Sequence, residues 1–218
     1  MAKQGNFWTI EGVDYRNERR TVDLLKETLD SGNEMNQTQW ARYSRENKAR
    51  SGFYTGDLPL HYATFEAIFD RRNKPQFKKT AEEVRNFLRE NIRNPYPLTL
   101  TRILYTPSIY SDNLIVHNLG MKDEYAITAR KLIDESNQRD FYNGLFGSSN
   151  IKIVNSVFKW INGTDFSIAE SDLKSEIVKE AVTSFIADSF KTCLVCSTVL
   201  SYVDASFGLR LHEGRGKK

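Results

Sequence analysis

The sequence predicts an α+β fold: an N-terminal helical half packed on a mainly antiparallel sheet of the C-terminal half. Three observations predict it. Apolar residues recur at three- and four-residue spacing through most of the first 95 positions. The stretch NPYP, starting at Asn94, cannot continue a helix and forces extended backbone. Beyond it the apolar period changes to two, the signature of strands. One domain is expected, with a helical subregion at 1–95, a sheet subregion at 96–212 holding one crossing helix, and a flexible tail at 213–218.

In chain order, NFWTIEG reads as a short strand over 7–10 and a glycine turn at Gly12. Over 19–29, Val22, Leu25 and Leu29 form a helical stripe that Ser31-Gly32 stops. A helix over 38–50 carries Trp40 and Tyr43 three apart but few aliphatic residues, so it should be mostly exposed. Pro59 suits the first turn of a helix, where its missing N–H would have no partner anyway. Tyr62, Phe65, Ile68 and Phe69 form the apolar face behind it, and Asn73-Lys74-Pro75 ends it. Thr80 followed by Glu83 has capping-box spacing, worth roughly 1 kcal/mol to a helix start. Val84, Phe87, Leu88 and Ile92 would be the buried stripe of that helix.

After NPYP, positions 98–105 alternate and are rich in β-branched and aromatic residues, which predicts a strand. TPSIYSDN is a loop, and strands are expected over 114–118 and 125–129. Ile151, Val154, Val157, Phe158 and Ile161 mark an amphipathic helix that ends at Asn162-Gly163. From Ser175 the helical spacing competes with a high β-branched density. The expectation is a short helix there, strands over 182–187 and 190–196, a last strand over 206–211, and HEGRGKK as a solvated tail.

With 218 residues, 39% hydrophobic and 27% charged, the chain can bury a substantial core and lies far from the composition of disordered proteins. No apolar run approaches the ~18 residues of a membrane helix, and the N-terminal stretch lacks the apolar segment of a secretory signal. Two cysteines are too few for a disulfide framework. A soluble cytoplasmic protein with no membrane partner is therefore expected. The sequence carries no marker of oligomeric state.

The stretch SDNLIVHNLGMKDEY holds the one candidate catalytic group: His117 with Asp112, Asp123 and Glu124. An imidazole titrates near neutrality and a neighbouring carboxylate can raise its pKa, so this set could act as acid and base. In a hairpin, however, His117 would share a face with Ile115, and Asp123 would start the return strand. No metal or cofactor is expected. The histidines form no HxH or HExxH pattern, and Cys193 and Cys196 lie in an apolar stretch that looks like a core strand. Walker, GxGxxG and GxSxG motifs are absent from the sequence.

Two basic groups, Arg42, Arg45, Lys48 and Arg50, then Arg71, Arg72 and Lys74, stand out against a net charge of only +3. With Trp40, Tyr43, Phe53 and Tyr54 interleaved near the first, they could bind phosphates while the aromatics stack on bases. The first expectation for function is a non-catalytic cytoplasmic binding or interaction protein with an unidentified protein partner. One alternative is a protein that binds or processes nucleic acid through the basic helices. The other is a small-molecule enzyme built on the histidine and carboxylates.

Overall fold

The computed structural model describes residues 5–48, 50, 52–94, 96–106, 112–130, 135–170 and 179–212. The chain is α+β, as its sequence predicts. It begins with a hairpin of β1 (Phe7–Tyr15) and β2 (Glu18–Thr28), then β3 (Met35–Asn36), α1 (Gln37–Lys48), β4 (Tyr54–Thr55), α2 (Leu58–Arg71) and α3 (Pro75–Asn91). Then come β5 (Leu98–Tyr105), β6 (Asn113–His117), β7 (Tyr125–Ala129), α4 (Glu135–Phe146), α5 (Ile151–Asn162) and β8 (Asp165–Glu170). The last elements are β9 (Lys179–Ala187), β10 (Lys191–Ser197), β11 (Val203–Asp204) and β12 (Phe207–Leu211).

The larger sheet has the order β7-β6-β5-β9-β10-β8, antiparallel except where β8 runs parallel to β10. The smaller sheet has the order β1-β2-β12-β4, and β3 pairs with β11 as a short ribbon. Helix α2 is buried along nearly its whole length, from Leu58 to Phe65 on every face, and packs on β1, α3, α4 and α5. A helix apolar all round belongs inside a protein, and here it carries Phe65 into a cluster with Phe185 and Phe207.

Several elements lie where the sequence places them, including β5 and β7, and α5 ends at Gly163 in the left-handed conformation. Four expectations are corrected. The first strand runs from Phe7 to Tyr15, and Gly12 is a bulge within it and not a turn that ends it. The segment 19–29 is not a helix but lies within strand β2, joined to β1 by the two-residue turn Arg16-Asn17. Val22, Leu24 and Leu25 are all buried there, because β2 is covered on both faces, and such a run has no clear period. Helix α3 begins at Pro75, so Thr80 and Glu83 sit inside it instead of capping it; Glu83 accepts a hydrogen bond from Trp8 Nε1 at 3.2 Å. Helix α1 is not mostly exposed: Gln37, Trp40, Ala41 and Ser44 are buried. Helix α4 and strand β8 were not expected at all. The loop core at 107–111, Pro95, the short helix at Ser175 and the tail 213–218 lie outside the described residues.

Strand β5 joins the two sheets. Its C-terminal part pairs regularly with β6 and β9, but its ladder with β9 slips between Leu98 and Arg102. Over that slip the backbone turns to the smaller sheet: Leu98 N–H donates to Ala205 O at 3.0 Å and Leu100 N–H to Gly56 O at 2.9 Å. The carbonyls of Thr99 and Thr101 accept from the buried Gln37 Nε2 at 2.8 and 2.6 Å. Thr183 Oγ1 also donates to Thr101 O, at 3.0 Å. A buried carbonyl that loses its partner costs about 1–3 kcal/mol, so Gln37 supports the slip chiefly through Thr99 O, because Thr101 O also has Thr183.

Phe207 is fully buried between His61, Phe65 and Phe87, whereas Phe190 is 89% exposed. Phe207→Ala should therefore lower the unfolding free energy by about 3–5 kcal/mol in urea denaturation. Phe190→Ser should change it by no more than about 0.5 kcal/mol.

Candidate functional site

The hairpin of β6 and β7 places His117 directly across from Tyr125. Because side chains alternate along a strand, His117 points inward with Asn113 and Ile115. Both of its ring nitrogens are engaged: Nδ1 with the Thr101 hydroxyl at 2.9 Å and Nε2 with Gly144 O at 2.9 Å. A carbonyl only accepts, so Nε2 carries the proton and Nδ1 accepts from Thr101. The same hydroxyl oxygen receives the N–H of Leu58, in the first turn of α2, at 2.9 Å. Burial pushes the His117 pKa down to about 4, so the ring is neutral at physiological pH.

Beside it lies a carboxyl that the sequence does not advertise. Asp57 is the N-cap of α2, its Oδ1 accepting from Leu60 N–H at 2.9 Å. Its other oxygen, Oδ2, accepts from the hydroxyls of Tyr15 at 2.8 Å and Tyr125 at 3.4 Å. Asp57 is wholly buried, and that burial raises its pKa to about 6 against the opposing effect of its donors. Burial, then the charge of Asp57, pushes the Tyr15 and Tyr125 phenols above their ordinary value, so both remain donors. Asn118 extends the chain outward, donating from Nδ2 to Tyr15 Oη at 3.3 Å and to Asp123 Oδ2 at 3.1 Å.

The tip of the β1–β2 hairpin closes over this network. Arg16 and Asn17 both have positive φ, 53° and 61°, as a two-residue turn between twisted strands requires. The Arg16 guanidinium lies 4.3 Å from the centre of the Tyr125 ring, whose centre is in turn 4.9 Å from that of His117. Between the hairpin tip, α2, β7 and the end of α4 is a cleft of about 570 Å³. Its walls include Asp14, Arg16, Tyr62, Glu66, Asn143 and Ser148, and its floor is His117 and Tyr125. Tyr62 donates to Glu66 Oε1 at 2.9 Å. Burial raises the Glu66 pKa, with the carboxylates of Asp70 and Asp14 adding to the rise.

Compared with models of known protein families, with curated proteins and with solved structures, the chain matches none. The site must speak through its own chemistry.

Of the residues the sequence singles out as a catalytic group, only His117 lines the cleft. Asp112 is exposed just before β6, five residues from His117 and about 16 Å away along an extended strand. Asp123 is exposed, 3.6 Å from Arg16 and 3.7 Å from Lys48 in ion pairs, and reaches Asp57 only through Asn118 and Tyr15. Glu124 accepts from Gly120 N–H at 2.6 Å and fastens the β6–β7 turn. Among the described residues no three His, Cys, Asp or Glu side chains are grouped to hold a metal.

The basic residues are spread out, and many are engaged. Arg42 pairs with Glu46 at 3.0 Å, Arg45 reaches Gly120 O, and Lys48 lies 4.5 Å from the Tyr54 ring centre. Arg50, just after α1, is exposed. At the α2–α3 junction Arg72 covers the Phe69 ring and Arg71 approaches Phe77, while Lys74 occupies the N-cap position of α3 without a side-chain capping bond. Trp40, Phe53 and Tyr54 are buried and offer no face to a base.

Asp57, Tyr15, Arg16, Glu66 and Asn143 are missing from the sequence reading. Only Asp57 had a local signal, since an N-cap aspartate two residues before a proline is a helix start.

Stability should follow these buried groups as pH changes. His117 and His61, both lowered to about 4 by burial, give stability that is complete above about pH 6.5 and is lost as pH falls toward 4. Asp57, raised to about 6, acts oppositely: its contribution is complete below about pH 4 and is lost as pH rises through 6. Each histidine represents about 3 kcal/mol and Asp57 about 3 kcal/mol, so the balance favours neutral pH. Urea denaturation at pH 4, 5, 6 and 7 should show the unfolding midpoint falling toward acid. His117→Gln should flatten the profile and Asp57→Asn should steepen it.

Proposed function

We propose that the protein is a non-catalytic binding protein whose cleft holds a small, polar, amine-bearing molecule. The observation that carries this reading is the state of His117: one nitrogen is committed to Gly144 O and the other to Thr101, so the ring supports the floor and has no position left for proton transfer. Asp57 is sealed beneath the floor by two tyrosines and the first turn of α2. What the cleft offers to a guest is its wall.

That wall favours positive charge. Asp14 and Glu66 face the cleft, Asp70 lies close enough to Glu66 to raise its pKa, and none of the three forms an ion pair among the described residues. Crowded carboxylates are relieved by a cation placed between them. Arg16, the wall's own cation, is directed at Tyr125 and Asp123. Asn143 and Ser148 add neutral hydrogen-bonding groups suited to hydroxyl or amide parts of a ligand. Cys193 and Cys196 are buried thiols on β10, which fits work in a reducing compartment such as the cytoplasm.

The test compares 1,4-diaminobutane with 1,4-butanediol, which has the same length but no charge. Backbone amide signals of Gly144 and Ser148 should shift saturably with the diamine, and Glu66→Gln should weaken its binding by at least about tenfold. His117→Gln should retain binding in protein that remains folded. An equal response to the diol, or none to either, would remove this reading.

A further inference from the structure

Strand β1 slips register between Glu11 and Val13 at a bulge formed by Gly12, whose φ of 67° lies in the left-handed region. Two guanidinium groups close onto the bare backbone there. A Cβ built on Gly12 would come closer than 3.0 Å to Nη2 of both Arg71 and Arg19. Arg71 comes from the last turn of α2 and Arg19 from β2, so the convergence belongs to the tertiary fold and not to one run of sequence. Neither forms an ion pair among the described residues; the contact made by Arg71 is with the Phe77 ring, 5.4 Å from its centre. Two cations directed at one point repel each other unless an anion lies between them.

Next to this pair, between β1, α2 and α3, is a separate cavity of about 260 Å³. Arg71 stands in its wall, and Ile10, Ala67, Ile68, Phe77 and Ala81 supply an apolar lining large enough for one aromatic ring. The cavity is distinct from the amine cleft, sharing none of its wall residues. A charged end held by paired arginines, beside an apolar recess, selects an amphipathic anion.

We propose that Arg19 and Arg71 bind the carboxylate or phosphate of a small organic anion, with the apolar part of that molecule seated in the recess between β1, α2 and α3. The guanidinium planes supply paired N–H donors to the anion's oxygens, and Gly12 gives them room by lacking a side chain. Glu11, at the rim of the same recess, opposes a polyanion, so the site takes a single charged group.

Isotope-labelled protein titrated at constant ionic strength with inorganic phosphate, phenyl phosphate and benzoate tests this. The Gly12 amide and the Arg71 Nε–H signals should shift saturably. Phenyl phosphate should bind about tenfold more tightly than inorganic phosphate because its ring leaves water. The ratio of phenyl phosphate to benzoate assigns the charged end as phosphate or carboxylate. Arg19→Gln, at an exposed position, and Arg71→Gln should each weaken phenyl phosphate by about tenfold or more. Ala81→Leu, which fills the recess, should remove the advantage of the ring while inorganic phosphate binds as before. An absent shift at Gly12, an unchanged affinity in Arg19→Gln, or a single-stranded oligonucleotide that outcompetes phenyl phosphate would each overturn the proposal.

Discussion

Residues 98–101 of β5 bond to both sheets, and most of the architecture follows from how that conflict is settled. A strand in the middle of a sheet ordinarily commits its N–H and C=O groups to its two neighbours. Here Leu98 and Leu100 donate to Ala205 and Gly56 instead, and the carbonyls of Thr99 and Thr101 turn to Gln37. Gln37 is in turn held by Arg102, whose Nε donates to its Oε1 at 2.9 Å. The side chain at the start of α1 therefore does the work of a missing strand, and α1 is fixed against the sheet by polar contacts where its sequence is short of aliphatic residues. Trp40 completes this attachment, its Nε1 donating to Asp204 O at 2.8 Å.

The same four residues set the floor of the cleft. Gly56, whose carbonyl receives Leu100 N–H, immediately precedes the N-cap of α2, and the Thr101 hydroxyl receives Leu58 N–H while donating to His117. The start of α2, the imidazole and the seam are one hydrogen-bonded unit. This explains why a buried carboxylate is tolerated at position 57: it satisfies the helix start and two tyrosine hydroxyls, which offsets part of the cost of its burial. A site assembled this way is held from below by the seam, while its wall is held by side-chain contacts, Glu66 to Tyr62 and Arg16 to Tyr125 and Asp123.

Much of the fold was legible where one physical signal dominated. Strand β5 is dense in β-branched and aromatic residues, and α5 has a strong apolar stripe with a glycine at its end, whereas NPYP divides no helical half from a sheet half, since β1 to β4 precede it and α4 and α5 follow it. Strand β2 is buried on both faces, so Val22, Leu25 and Leu29 mimic a helical stripe although Val22 and Leu25 lie on opposite faces of the strand. Thr80 and Glu83 have the spacing of a capping box, but Pro75 upstream starts the helix first. The site was harder. Tyr15, Asp57 and Tyr125 meet only because the β1–β2 hairpin, the start of α2 and the β6–β7 hairpin converge, and spacing along the chain carries no trace of that. The hairpin and the face that His117 shares with Ile115 follow from the sequence, but its complete burial and its two hydrogen-bond partners do not, since those come from β5 and α4.

Strand β12 lies between β2 and β4 in the smaller sheet, although most of the described chain separates it from them in sequence. The β1–β2 hairpin and the buried helix α2 thus wait for a partner made much later in the chain. During synthesis on the ribosome, an early half already rich in apolar surface must stay unpaired until that ribbon emerges, which favours slow assembly and a need for chaperone protection.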